Sequence, residues 1–192
     1  YRQLERMIVT LELPPSSVTT EGALVDRVGL GRTPVREAIQ RLGWEGLLAV
    51  RPRAGLAIAP LHAADWRRVL DARRGVEAVL ARSAARFVTD EAATLFHDAL
   101  MTMQKSVITG NVGTFLEADK ALDEAIALAA DNGFAARLAA PLQTHSRRFW
   151  FRYQADTGLA AAAEGHVGLI RSIRDGDENG AASAAEELMD LL

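Results

Sequence analysis

The sequence predicts a mainly α protein. An N-terminal winged helix-turn-helix, three helices plus a small β-hairpin wing, is followed by an all-α bundle of about six helices. Three observations predict it. Up to residue 59, short helical patterns are broken by Pro and Gly turns, and two short apolar runs flank a basic turn. From residue 65 on there is no strand-like alternation, Ala is abundant and helical spacing persists. Charge divides at the same place: residues 1–60 hold 8 Arg against 6 acids, and residues 61–192 hold 14 Lys plus Arg against 19 acids. The expected organisation is a head over 1–59, a linker over 60–64 (Pro60-Leu61-His62-Ala63-Ala64) and a helical body over 65–192.

In the head, residues 1–11 read as a helix, because Leu4, Met7, Ile8 and Leu11 recur at spacings of three and four. Leu13-Pro14-Pro15-Ser16-Ser17 stops it. Thr20 is a cap for a second helix running to Val28, with Leu24, Val25 and Val28 inward. Gly29-Leu30-Gly31 is the turn into a third helix, in which Thr33 is the expected N-cap and Pro34 suits the first turn. Leu48-Ala49-Val50 and Leu56-Ala57-Ile58 read as strands around the turn Arg51-Pro52-Arg53-Ala54-Gly55.

The third helix carries the chemistry. Val35, Ala38, Ile39 and Leu42 form its inward stripe. Thr33, Arg36 and Gln40 share the other face, with Arg32 at its start. Arg can fork onto guanine and Gln onto adenine, and a helix led by such residues is how a helix-turn-helix reads the major groove. The plainer reading is a surface helix with scattered charges. At the wing, Arg51 and Arg53 suit phosphates or the minor groove, against the alternative of a solvated turn.

The run from Ile8 to Gly55 resembles the DNA-binding domain of the GntR family of bacterial transcription regulators. Arg32-Thr33-Pro34-Val35-Arg36-Glu37-Ala38, Arg41-Leu42 and Glu45-Gly46-Leu47 match its pattern in order and spacing. Three positions depart from it: Gly31 replaces a Ser, Pro15-Ser16 replaces Pro-Gly, and Gly22 stands where the family often carries a DNA-contacting Arg. The resemblance implies double-stranded operator DNA as partner, with Arg32, Thr33, Pro34, Arg36, Gln40, Arg51, Arg53 and Gly55 as the DNA-binding residues.

The body is expected to hold helices at 65–88, 91–109, 112–130, 134–153, 159–175 and 178–192. Thr89-Asp90, Gly110-Asn111, Asp131-Asn132-Gly133, Asp156-Thr157-Gly158 and Gly176-Asp177 separate them with cap and turn chemistry. Short connections make neighbours antiparallel. This part is similar to the FadR-type (FCD) effector domain of the same family, on Asp71-Ala72-Arg73 to Glu77, Asp119 with Asn132, and Glu164-Gly165-His166 running to Asp175-Gly176-Asp177. The resemblance implies a helical bundle with a central cavity, a divalent metal on one Asp and three His, and a small carboxylate effector beside it. Carried over, that set becomes Asp119, Asp123 at a His position, His166, and Leu188, which cannot ligate. His145 faces inward by periodicity and is a further candidate. Two readings stand side by side. In one, Asp119, Asp123, His166 and His145 hold Zn, Ni or Mn. In the other the pocket is metal-free, the acids pair with Arg73, Arg147 or Arg148, and Arg73 and Arg148 grip an anionic effector.

Composition excludes other classes. Cys is absent, so there is neither a disulfide framework nor thiol chemistry. No apolar run approaches the ~18 residues of a membrane span, and no signal peptide is read, so the expected location is cytoplasmic. The expected function is a ligand-responsive regulator, a repressor, that binds a palindromic operator as a homodimer and takes a small carboxylate or sugar-acid effector. A helical metal-dependent enzyme and a dimerising DNA-binding protein without effector are the alternatives.

Overall fold

The computed structural model describes residues 1–153 and 158–192. Among these the elements run α1 (Arg2–Val9), β1 (Val18–Thr19), α2 (Glu21–Val28), α3 (Arg32–Trp44), β2 (Leu48–Arg51), β3 (Gly55–Ile58), α4 (Ala63–Phe87), α5 (Asp90–Thr109), α6 (Val112–Ala129), α7 (Gly133–Tyr153), α8 (Leu159–Arg174) and α9 (Glu178–Leu191). The mainly helical class with a small sheet is as expected. The turn residues Asp156 and Thr157 lie outside the described residues. The chain divides into two compact units: Tyr1–Trp66 with Thr144–Arg152, and Arg67–Gln143 with Tyr153–Leu192.

The first unit is built on the inward stripes of three short helices. Leu4 and Ile8 of α1, Leu24 of α2, and Val35, Ile39 and Leu42 of α3 close one core with Leu47, Leu48, Leu56 and Ile58. Thr20 caps α2 by accepting the Ala23 N–H at 3.1 Å, and Gly29 ends it in the left-handed region at φ 67°. Helix α1 stops at Val9, two residues short of the periodicity, because Leu11 turns to φ 59°. Thr33 is not the cap of α3. Gly31 holds that position without a side-chain bond, and Thr33 lies inside the first turn.

The sheet has three strands in the order β1-β3-β2, all antiparallel. The hairpin pairs Leu48 with Ile58 and Arg51 with Gly55. Strand β1, unexpected from sequence, pairs Val18 with Ala57 and Thr19 with Leu56. Two residues are too short a run to show alternation; only the neighbouring strand reveals them.

Polar N-caps punctuate the second unit. Thr89, Asn111, Asn132 and Asp177 accept the backbone N–H of Ala92, Thr114, Ala135 and Gly180 at 2.9–3.2 Å. Helix α5 packs on α6 and α8, and α8 packs on α9. Arg74 pairs with Asp190 and Arg86 with Glu178, so α4 and α9 run antiparallel. The buried faces combine many small Ala with a few large residues such as Phe96, Met103, Phe115, Leu122 and Ile173. Helix α4 starts at Ala63, so Ala63 and Ala64 are helical rather than linker. No helix among the described residues is long and apolar enough to cross a membrane.

Candidate functional site

Helix α3 buries Val35, Ala38, Ile39 and Leu42 and leaves Arg32, Thr33, Pro34, Arg36 and Gln40 exposed. The same stripe that builds the core therefore turns the polar row outward. The wing exposes Arg51 and Arg53, with Arg53 at φ 63° in the turn between β2 and β3. Gly55, expected as a DNA contact, has a structural reason of its own to be glycine. Its φ is +96°, and a Cβ there would sit 2.5 Å from the carbonyl oxygen of Thr19. It is glycine because β1 and β3 approach too closely for a side chain.

Arg36 has a partner that sequence reasoning missed. Glu21, the first residue of α2, accepts from Arg36 Nη2 at 2.8 Å and from Nε at 3.2 Å. The hydrogen bond and charge of Arg36 hold the Glu21 carboxyl below its usual range, and Arg32 adds to this. Fifteen residues separate Glu21 from Arg36, so no local spacing links them.

Two residues expected in the body's site, His145 as a metal candidate and Arg148 as an effector candidate, belong instead to the first unit. His145 Nε2 lies 2.8 Å from the carbonyl oxygen of Glu45, to which it donates. Burial pushes this imidazole below its ordinary value, and the charge of Arg148 adds to that despite the Glu45 bond. Arg148 is fully buried and donates to the carbonyl oxygens of Ala59 at 2.6 Å and Pro60 at 3.4 Å. Burial lowers its guanidinium to about 10, so it remains charged at neutral pH. Neither side chain is a member of a metal or effector site in the helical body. Both tie Thr144–Arg152 of α7 to the head, where Thr144 also donates to buried Glu5 at 2.7 Å and Phe149 stacks on Trp66 at 6.2 Å. Glu45 itself accepts from the Tyr1 hydroxyl at 2.6 Å and from Arg41 Nε at 2.9 Å. The periodicity that turned His145 inward was correct, but inward here means toward the head.

The second unit gathers the remaining candidates in a buried polar cluster. Glu77 Oε1 accepts from Arg73 Nε at 3.0 Å and from Gln143 Nε2 at 3.0 Å, and Arg73 Nη2 lies 2.9 Å from it. The Arg73 guanidinium lies 4.0 Å from Asp123. His166 Nε2 lies 2.9 Å from Asp119, and its Nδ1 lies 2.7 Å from the Ala162 carbonyl oxygen. Burial pushes His166 down, but the hydrogen bond and charge of Asp119, with Ala162 and Asp123, outweigh it and hold the imidazole above its ordinary value. Separately, a groove of about 630 Å³ between α5 and α8 is lined by Gln104, Val107, Ile108, Ala163, Val167 and Arg171. None of the residues predicted for an effector lines it.

The described residues do not assemble the one-Asp, three-His set that the resemblance implies. His166 Nδ1 lies 2.7 Å from the Ala162 carbonyl oxygen, the bond by which a ligating imidazole is held, and its Nε2 meets Asp119 alone of the expected ligands. Asp123 is turned to the Arg73 cation, and Leu188 is an apolar residue packed by Gly165. Among the described residues no three His, Asp or Glu are grouped so as to hold a metal ion.

Comparison with known proteins matches both units. The profile of the bacterial regulatory proteins, gntR family, covers residues 1–58, and that of the FCD domain covers 68–191. The HTH-type transcriptional repressor RspR of Escherichia coli is 28% identical over 131 residues, which are 68% of this chain and 58% of that protein. A transcriptional repressor of a D-xylose utilisation operon in Paenarthrobacter nicotinovorans is 25% identical over 86% of this chain and 73% of its own. An HTH-type regulator of Streptomyces ambofaciens is 40% identical over 79 residues, 41% of this chain and 32% of its own. The match thus spans about a third to under two thirds of the length of the first of these relatives. Among solved structures, E. coli McbR/YncC superposes with a TM-score of 0.84 at 18% identity, over 98% of this chain and 91% of its own. A GntR regulator of Rhodococcus sp. RHA1 gives 0.71 at 17% identity over the same shares. These likenesses establish the fold.

Proposed function

Because the chain belongs to the GntR family of bacterial regulatory proteins and carries an FCD domain, we propose that it is an effector-responsive repressor of transcription. It binds a palindromic operator as a homodimer in the cytoplasm. The observation that carries this reading is the outward row of α3, Arg32, Thr33, Arg36 and Gln40, uncovered on a folded unit beside the wing cations Arg51 and Arg53. Two-fold pairing supplies the affinity that one small head lacks. Repression is supported by the names of two relatives.

The effector is a small carboxylate or sugar acid taken up by the helical unit. Arg73 is the guanidinium through which it engages, because its contact with Asp123 at 4.0 Å is looser than that with Glu77 at 2.9 Å and easier to exchange. Binding shifts the population of head arrangements with different operator affinity. Duplexes selected from a randomised library by the wild-type chain provide the test. Arg36→Ala should weaken binding to the selected duplex by about 1–3 kcal/mol. If Arg36→Ala binds selected and random duplexes as well as wild type does, the reading fails. A thermal-unfolding screen of carboxylates and sugar acids then tests the effector class, since a ligand at ~100 times its Kd adds about 2.7 kcal/mol.

A further inference from the structure

Among the described residues, Arg36 is held along one edge. Glu21 takes Nε and Nη2, two roughly parallel bonds at 3.2 and 2.8 Å, which is side-on engagement of the guanidinium. The end-on edge, Nη1 and the second hydrogen of Nη2, points away from the carboxylate. The Arg36 side chain is 62% exposed, so that edge is open to solvent. Guanine offers O6 and N7 in the major groove, and an end-on fork meets both.

The carboxylate is itself fixed in place. Glu21 follows Thr20, whose hydroxyl caps α2, and Thr19, which pairs with Leu56 of β3. Leu24, one turn on, is buried in the head core. Glu21 therefore projects from a rigid junction of strand and helix. An acid on a DNA-reading surface is unfavourable for phosphate contact in general, and it needs a compensating purpose.

We propose that Glu21 is a positioning and specificity-determining residue for DNA recognition: it clamps Arg36 side-on so that the end-on fork reads guanine, and its charge deters Arg36 from phosphates. This rests on the reading of α3 as the recognition helix. A free Arg has several rotamers and takes phosphate or base indiscriminately; a clamped one loses less freedom on the correct base and gains less from the wrong partner. Glu21 thus trades non-specific affinity for discrimination.

The experiment runs selections from a randomised duplex library with the wild-type chain, Glu21→Gln, Arg36→Ala and the double variant. Affinities for the selected duplex and for a random duplex are then measured against salt. Glu37→Gln, which removes an exposed acid next to Arg36 on α3, is the charge control. The expected result has four parts. Arg36→Ala abolishes preference for one guanine in each half-site. Glu21→Gln weakens that preference by about five- to tenfold and steepens the salt slope on random duplex by about one, as Arg36 turns to phosphate. The double variant loses no more preference than Arg36→Ala. Glu37→Gln shifts selected and random duplexes equally. If Arg36→Ala changes nothing, the recognition-helix reading falls and takes this one with it. If Arg36→Ala loses the guanine while Glu21→Gln behaves like Glu37→Gln, the recognition helix stands and the clamp is overturned. Both acids are surface residues, and Glu21→Ala repeats the measurement should the amide bond Arg36 in the carboxylate's place.

Discussion

Arg148 donates to the carbonyl oxygen of Ala59 at 2.6 Å while its side chain is shut away from solvent. Ala59 and Pro60 are where the chain leaves the wing, so a guanidinium from α7 fastens the exit of the DNA-binding head. Arg148→Ala leaves those carbonyls without their donor and opens a cavity. We expect a loss of about 2–4 kcal/mol in urea unfolding. Arg148→Lys should recover little, because a single ammonium cannot reproduce the fork on two oxygens. A loss below about 0.5 kcal/mol for Arg148→Ala would mean the fastening carries no weight in solution.

The two buried imidazoles should titrate in opposite senses. The folded value of His166 is raised. Its stabilisation is fully present below the unfolded value of 6.5 and disappears as pH rises through the higher folded value. The folded value of His145 is lowered. Its neutral form is favoured, so stability is present above 6.5 and is lost as pH falls from there through the lower folded value. Unfolding free energy measured across pH should therefore lose part of its alkaline slope in His166→Gln and part of its acid slope in His145→Gln. Swapped effects would reverse both assignments.

Divalent metals should not stabilise the chelator-treated protein. Zn, Ni and Mn are expected to leave the thermal midpoint unchanged, since the described residues bring no three metal ligands together and Asp123 faces the Arg73 cation. The double variant Asp123→His with Leu188→His puts imidazole at both missing positions. It should gain a metal-dependent rise in midpoint and stoichiometric metal by elemental analysis. Stoichiometric metal in the wild type, lost in His166→Ala, would overturn the fit argument.

Wing and recognition helix should separate by their salt behaviour. Arg51→Ala and Arg53→Ala are expected to weaken selected and random duplexes alike, each lowering the salt slope by about one. Sequence preference should survive. A change in preferred bases would give the wing a reading role.

Gly55→Ala should act on folding before it acts on DNA. The positive φ and the approach to Thr19 together predict a loss of about 2 kcal/mol or more in stability. Far-ultraviolet circular dichroism through a thermal ramp measures it. Intact stability with impaired DNA binding would restore Gly55 as a contact residue.

What the sequence determined by itself is what rests on local periodicity and local chemistry. The stripe Val35, Ala38, Ile39 and Leu42 specifies both the core of the head and the outward row of Arg36 and Gln40, because one helix cannot bury one face without exposing the other. Thr20, Thr89, Asn111 and Asp177 mark helix starts by the same kind of short-range bond. Tertiary structure decided the partners. Periodicity says that His145 and Arg148 turn inward; it does not say toward which core, and α7 turns them to Glu45 and Ala59. Whether Asp119 and Asp123 face a metal, a proton or a guanidinium depends on α4 and α8, which are distant in sequence. Glu21 reads as an ordinary first-turn acid until folding brings it to Arg36. Charge and burial are pairwise quantities, and which pairs form is set by how elements far apart along the chain pack together.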